Sequence, residues 1–361
     1  MKEKVIIGMS GGVDSSVAAA LLKNQGYEVV GLTMKLWDGD GDFINRESDA
    51  EKDAARIAEK LGIEFHVLDL KKEFKEHVID YFLSEYQNAR TPNPCIECNR
   101  HLKFGAMLKA ADDLGAEYIA TGHYAKVEYS KELDRYLLKP SNAFGKDQTY
   151  VLYTLGQKQL ARIKMPLGEF ENKEQIRKIA AELGLFTASK PDSQEICFIP
   201  DNDYISFIRR NGISPKPGNF VDADGNPLGV HRGITNYTIG QRKGLGIAFG
   251  KPMFVTEINA KTNEVVLGEK GSEFSSGLYA DNLNFIPFDR PEQGKKVLAK
   301  IRYSAKPAPA SIVIEDRDGR DILKVSFEEP QRAVTPGQSV VLYDLGGETV
   351  LGGGIILKSF K

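Results

Sequence analysis

No stretch of this chain is apolar for long enough to cross a bilayer, and no apolar secretory segment follows Met1. Cysteine is scarce: Cys95, Cys98 and Cys197 are the whole complement, an odd number that makes no disulfide scaffold. These absences argue against a membrane protein or a stapled secreted one, and favour a reduced, cytoplasmic compartment. Charge of one sign is lacking too. The net charge is −2, so no global field announces nucleic acid. Internal repeats and low-complexity tracts are absent. What is present is length and core material, 361 residues with 41% hydrophobic content, enough for two or three domains.

The richest segment lies at the start. Val5-Ile6-Ile7-Gly8 reads as a buried strand, Met9-Ser10-Gly11-Gly12 as a turn, and Val13-Asp14-Ser15-Ser16 as the opening of a helix that runs into an Ala/Leu stretch. Gly11 and Gly12 lack Cβ atoms, so their amides can approach an anion closely. Ser10, Ser15 and Ser16 add hydroxyl donors, and the helix N-terminus adds its positive dipole end. The site suits phosphate, yet the Gly-Lys-Ser/Thr ending of a Walker loop is missing. The SGGVDS string resembles the pyrophosphate-binding loop of the ATP-pyrophosphatase superfamily, whose members adenylate a carbonyl oxygen and release pyrophosphate.

Strand and helix patterns alternate over the first 200 residues. Strands are expected at Glu28 to Met34, Glu64 to Leu68 and Tyr118 to Ala120. Helices are expected from the Ser48 cap to Leu61, at Lys72 to Tyr86 and at Leu102 to Leu114, with a Gly/Asp-rich mobile loop at Trp37 to Asn45. This order implies a doubly wound parallel sheet, with ligands beyond the carboxyl ends of its strands. The loop at Ser10, Met34 and Gly122-His123 all follow such ends. After about Ile199 the pattern changes. A short helix at Asp203 to Arg210 precedes β-like runs at Phe254, Glu264, Val297, Ser311, Leu323, Ser339 and Ile355, which suggest one or two small β domains, plausibly barrels. The expected divisions are 1–200, 201–275 and 276–361.

Two windows contain no acid. Residues 225–256 carry Arg232, Arg242, Lys243 and Lys251, and residues 293–314 carry Lys295, Lys296, Lys300, Arg302 and Lys306. They could track a phosphate backbone or be ordinary solvated faces. Tyr237 and Tyr303 beside them could stack on bases or belong to a core.

The cysteines admit several readings. Cys95 and Cys98 form a C-x-x-C pair in a proline-stiffened loop ahead of a helix, a setting that can lower a thiol pKa to roughly 3.5–7.5. Zinc would draw on Cys95, Cys98, Cys197 and His101 or His123, but no second C-x-x-C pair exists. A thioredoxin-like redox pair normally follows a strand directly, and this one follows a loop. Inert burial suits two thiols among prolines poorly, though Cys197 alone fits a packed small hydrophobe.

The strings GMSGGVDSSVAA, TPNPCIECN, ATGHYA, KDQTYVLY, SKPDSQEICFIP, YTIGQRKGLGI and TPGQSVV, in this order, resemble the tRNA-specific 2-thiouridylase family along almost the whole chain. The resemblance implies an N-terminal pyrophosphatase domain, a small central domain and a C-terminal β-barrel that binds tRNA. It implies that ATP adenylates oxygen 2 of the wobble uridine and that a persulfide sulfur then displaces AMP to leave 2-thiouridine. Cys197 would carry the persulfide, supplied by a cysteine desulfurase or relay protein, and Cys98 would be the nucleophile, leaving a transient Cys98–Cys197 disulfide. Gly8, Met9, Ser10, Gly11, Gly12, Val13, Asp14 and Ser15 would hold ATP phosphates, with Met34 and Gly122 near the adenosine and Mg²⁺ accompanying ATP.

The same resemblance assigns tRNA contacts to His123, Lys146, Asp147, Gln148, Arg302, Tyr303 and Gln338, and base contacts to Asn93, Pro94 and Cys95. Family members carry Asp where Cys95 stands, so no carboxylate contact to the base is available there. No resident metal is implied. Two other functions fit parts of the pattern: an amidotransferase-type synthetase sharing the first loop, and a zinc-stabilised RNA-binding module.

Overall fold

The computed structural model describes residues 2–38, 46–143, 145–190 and 196–361, without the side chains of 46–48. Most of the expected mobile loop at Trp37 to Asn45, the side chain of Ser48 and residues 191–195 of SKPDSQEICFIP lie outside the described residues, while the helix expected to begin at a Ser48 cap already runs from Arg46. The chain divides into two compact units, one of residues 1–79, 95–200 and 347–351, the other of 80–94, 201–346 and 352–361.

The first unit is built on a five-stranded sheet of order β3-β2-β1-β4-β7, comprising β1 (Lys4–Gly8), β2 (Glu28–Lys35), β3 (Glu64–Asp69), β4 (Tyr118–Ala120) and β7 (Ile163–Lys164). Every pairing is parallel. Val5, Ile6 and Ile7 are successive and all fully buried, so β1 is covered on both faces, which is what an unbroken apolar run in a parallel sheet requires. Helix α1 (Val13–Asn24) follows β1, and α2 (Arg46–Leu61) buries Ala54, Ile57 and Ala58 in the same core. Parallel pairing sets the carboxyl ends of β1, β2 and β4 along one edge. The turn at 9–12, Met34 and Gly122 all fall there.

Three expectations need correction. A hairpin of β5 (Ala125–Ser130) and β6 (Arg135–Pro140), and the two-residue β7, stand where no strands were expected. Their charged and polar residues dilute the apolar pattern. The helix expected from Leu102 starts earlier: α5 (Pro94–Glu97) runs through a π-helical stretch Cys98–Ala106 into α6 (Met107–Asp113). Pro94 is the first helical residue, where its fixed φ suits the helix and its missing N–H costs nothing. The C-x-x-C pair therefore lies on the helix rather than in a loop before it. The segment expected as one helix at Lys72 to Tyr86 is likewise α3 (Lys71–Phe74), a π-turn Lys75–Ile79 and α4 (Asp80–Gln87).

In the second unit, α7 (Tyr204–Arg210) is capped by Asp203, whose carboxylate accepts from Ser206 N at 2.9 Å. A small open sheet follows, of order β10-β11-β8-β9, with β8 (Gly218–Val221), β9 (Pro227–His231), β10 (Met253–Asn259) and β11 (Glu264–Glu269) around Phe220, Val255, Val265 and Leu267. The C-terminal strands close a six-stranded barrel in the order β12-β15-β14-β13-β16-β17. These are β12 (Phe274–Phe285), β13 (Lys295–Lys300), β14 (Ala308–Arg317), β15 (Arg320–Arg332), β16 (Ser339–Tyr343) and β17 (Val350–Phe360). One barrel is thus present, and the other β region is an open sheet. β8, β9 and β12 were not legible, since glycine, proline and polar residues interrupt their alternation.

Candidate active site

The phosphate loop is held from both sides. Met9 N donates to Leu32 O at 2.8 Å, and Thr33 Oγ1 donates to Met9 O at 2.7 Å, which pins the exit of β1 to β2. Gly11 has φ +66°, and a Cβ on it would meet Ala50 O at 2.6 Å. Only glycine fits there. Gly12 caps α1 in extended geometry and offers no side chain. Its carbonyl accepts from Ser15 Oγ at 3.2 Å and Ser16 Oγ at 2.7 Å, while Ser15 Oγ also accepts from Ser10 N at 3.2 Å. Ser15 and Ser16 therefore spend hydroxyls on building the turn. Gly122 lies against the first turn of α1, where a Cβ would come within 2.8 Å of Ser15 N and 2.9 Å of Asp14 C. Close backbone approach is what this position demands.

Sequence reasoning missed the groups that anchor Asp14. Tyr124 Oη donates to Asp14 Oδ1 at 2.7 Å, and Lys173 Nζ donates to Oδ2 at 2.8 Å. Lys190 Nζ bridges Gly11 O at 3.0 Å and Asp53 Oδ2 at 2.9 Å. The Walker lysine is absent from the loop, but two lysines from remote segments reach it. Tyr124 stands within ATGHYA and Lys190 within SKPDSQEICFIP, so a signal existed for both. Lys173 carried none.

The thiols sit in a different medium. Cys98 is 7% exposed, while Cys95 keeps an exposed side chain on the first helical turn. Burial pushes the Cys98 thiol up, opposed by the nearby Lys103 charge, and the crowded surroundings of Cys95 do the same to its thiol. The lowered pKa expected of a helix-start C-x-x-C is thus not found, because desolvation outweighs the lysine's charge. None of the three cysteines is in a disulfide. Cys197 is exposed, in a turn whose neighbour Phe198 is buried edge-on against Phe74 at 5.6 Å. Among the described residues no three His, Cys, Asp or Glu side chains converge as metal donors, so the zinc reading finds no ligand set there. His101 is engaged elsewhere, 3.2 Å from Glu97 Oε2 and stacked on His77 with ring centres 4.4 Å apart.

Of the sequence-predicted RNA contacts, His123 and Gln148 are brought together through Tyr124 in the first unit. His123 is 8% exposed, with Nδ1 2.8 Å from Thr121 Oγ1, and burial holds its pKa well below 6.5. Gln148 pairs with the next residue: its Oε1 accepts from Tyr124 N at 2.8 Å and its N donates to Tyr124 O at 3.0 Å. Asp147 accepts from Thr149 N and Oγ1. In the second unit Gln338 Nε2 donates to Thr91 O at 2.9 Å and Pro92 O at 3.2 Å, bracing the approach to Asn93 and Pro94. Arg302 Nη1 donates to Arg332 O at 3.3 Å, and Tyr303 is 45% exposed.

Three family models match the chain in succession: the tRNA methyl transferase HUP domain over residues 3–201, the tRNA methyl transferase PRC-barrel domain over 206–269 and the aminomethyltransferase beta-barrel domain over 275–356. The tRNA-specific 2-thiouridylase MnmA of Clostridioides difficile (strain 630) is 54% identical, covering 99% of both chains. That of Clostridium beijerinckii (strain ATCC 51743 / NCIMB 8052) is 56% identical at the same coverage. The chain belongs to the tRNA-specific 2-thiouridylase family. A third member, from Carboxydothermus hydrogenoformans, is 53% identical over 99% of this chain and 98% of its own. The model names speak of methyl transfer, but a phosphate loop is idle in such a reaction. The loop agrees with the family's thiouridylases.

Proposed function

We propose the following division of labour for this ATP-dependent tRNA-uridine 2-sulfurtransferase. Residues Gly8 to Ser15 hold the ATP phosphates, and Met34 and Gly122 flank the adenosine. Oxygen 2 of the wobble uridine attacks the α-phosphorus, and pyrophosphate leaves. The observation that carries this reading is the loop itself: Gly11 at φ +66°, a glycine cap and unblocked amides at the start of α1. Mg²⁺ would neutralise the triphosphate chiefly through phosphate oxygens, since both Asp14 carboxylate oxygens are already engaged by Tyr124 and Lys173.

Sulfur delivery falls to Cys98 and Cys197. The Cys98 thiolate attacks the inner sulfur of a Cys197 persulfide, and hydrosulfide is released as Cys98–Cys197 forms. Hydrosulfide adds to carbon 2 and AMP departs; a dithiol reductant then returns two electrons to the disulfide. Asn93, Pro94 and Cys95 face the base, and His123, Lys146, Asp147, Gln148, Arg302, Tyr303 and Gln338 touch tRNA. A cysteine desulfurase or relay protein charges Cys197, in the cytoplasm. The domain limits are 1–200, 201–275 and 276–361. The test is nucleoside mass spectrometry of tRNA incubated with protein, Mg·ATP and a persulfide donor. A mass gain at the wobble uridine dependent on Cys98 and Cys197 supports the assignment, and thiolation by the Cys98→Ser protein removes it.

A further inference from the structure

Lys103 lies in the π-helical stretch Cys98–Ala106, five residues beyond Cys98. In a π-helix the five-residue step is the hydrogen-bonded turn, so positions 98 and 103 share one side. In an α-helix they would diverge by about 140°. Lys103 is half-buried, and no carboxylate pairs with it among the described residues. The lysines at the phosphate loop differ, since Lys173 is spent on Asp14 and Lys190 on Asp53.

An uncompensated ammonium in a partly desolvated place favours an anion beside it. Its charge is felt by Cys95, Cys98 and His123. Of these, only the thiols can become anions. The other titratable groups around this helix are already placed: Glu97 on His101, His101 on His77, His123 on Thr121, and Asp147 on Thr149. Arg100 and the charged side chains of Lys72, Glu73, Lys75 and Glu76 are exposed.

We infer that Lys103 is the positioning residue that stabilises the Cys98 thiolate, one π-turn along the helix from the sulfur. The thiol proton leaves to solvent, the lysine stays charged, and no electron is transferred. The inference rests on the reading of Cys98 as the reacting thiol. It also gives the π-helix a purpose, since a regular helix would aim Lys103 elsewhere.

The test is iodoacetamide alkylation of the full-length protein over a pH series, with Cys95, Cys98 and Cys197 quantified separately by peptide mass spectrometry. Lys103→Met and Lys103→Gln should each move the Cys98 profile up by about one pH unit, roughly tenfold slower modification on its lower limb. Lys103→Arg should restore it, and the Cys197 profile should not move. An unmoved Cys98 profile in both neutral variants, with native melting temperatures, overturns the inference. So does an unmoved profile accompanied by a loss of about one unit of salt slope in tRNA binding, which assigns Lys103 to a phosphate. Failure of the underlying reading looks different. A Cys98→Ser protein that still thiolates tRNA would remove the nucleophile while leaving the alkylation profile readable.

Discussion

The phosphate loop and the thiol helix stand in one unit but are prepared for chemistry in opposite ways. In the loop, Asp14 already holds two donors, the Gly12 carbonyl two hydroxyls and the Gly11 carbonyl a lysine. Charge is matched before any ligand arrives, and among the described residues the amides of Gly11 to Asp14 meet no acceptor. On the helix, Cys98 is buried, its thiol is pushed up and the nearby Lys103 pairs with no carboxylate among the described residues. If the loop binds ATP and Cys98 delivers sulfur as proposed, the first half is preorganised, whereas the second is held inactive until its proton departs. For a chemistry that releases hydrosulfide this order is sensible, because an early thiolate would discharge sulfur before the base is activated.

Breaking the sulfur half alone should give the largest effect. Cys98→Ser and Cys197→Ser should each lower thiolation by roughly a thousandfold or more while tRNA-dependent pyrophosphate release continues, because neither thiol belongs to the proposed phosphate loop. Cys95→Ser should keep most activity. Nucleoside mass spectrometry beside a pyrophosphate assay checks this, and equal loss in both assays would merge the two halves.

Breaking the other half comes next. Asp14→Ala strands Lys173 and Tyr124 and should reduce pyrophosphate release about a hundredfold, with persulfide loading of Cys197 intact. Pyrophosphate kinetics paired with intact-protein mass spectrometry separate the outcomes.

The two loop glycines sharpen the picture within one turn. Gly11→Val forces a β-branched residue to positive φ against Ala50 O and should cost about 1–3 kcal/mol in urea unfolding. Gly12→Ala should be nearly neutral for stability, since its Cβ would meet nothing closer than Ser10 Oγ at 3.4 Å and its φ is −99°. Equal destabilisation would mean the loop is not held as described.

pH should divide the halves again. A raised thiol pKa leaves Cys98 mostly protonated near neutrality, so single-turnover sulfur transfer should climb as pH rises while pyrophosphate release stays flatter. Stability responds at the acid end. His123 is neutral in the fold with its pKa depressed, so its contribution is complete above about 6.5 and is lost as pH falls below that value. His123→Gln should lessen that acid loss in a melting series.

The smallest effect concerns the basic window. Neutralising Lys295, Lys296, Lys300 and Arg302 should remove about one unit of salt slope in tRNA binding per lost phosphate contact, with ATP binding unchanged. Lys296 already pairs with Glu328 at 3.3 Å, and its share should be the least.

Much of this was legible in advance. β1, the glycine turn and α1 follow from adjacent residues, as do the helix ending at Leu61, the short helix near Asp203 and the central parts of barrel strands β14 and β15. The C-x-x-C pair was visible, but its placement on a helix was not, because the prolines before it read as a loop. The hairpin of β5 and β6 was missed, since its strands are half-buried and carry charges at alternate positions. The strained turn at Gly11 and the helix start at Asp14 were legible, while the contact of Lys173 with Asp14 was not, since nothing in NKEQIRK distinguishes it from an ordinary helix-start lysine.

What the sequence alone determined is local: a strand, two glycines and a helix start that no side chain blocks, because backbone conformation and dipole depend on neighbours along the chain. Tertiary structure decided the charge balance. It carried Lys173 across 159 residues to Asp14 and Lys190 across 137 to Asp53, and it buried Cys98 beside Lys103. Desolvation and Coulomb attraction act through space, so the state of a thiol or a carboxylate follows from what the fold packs around it.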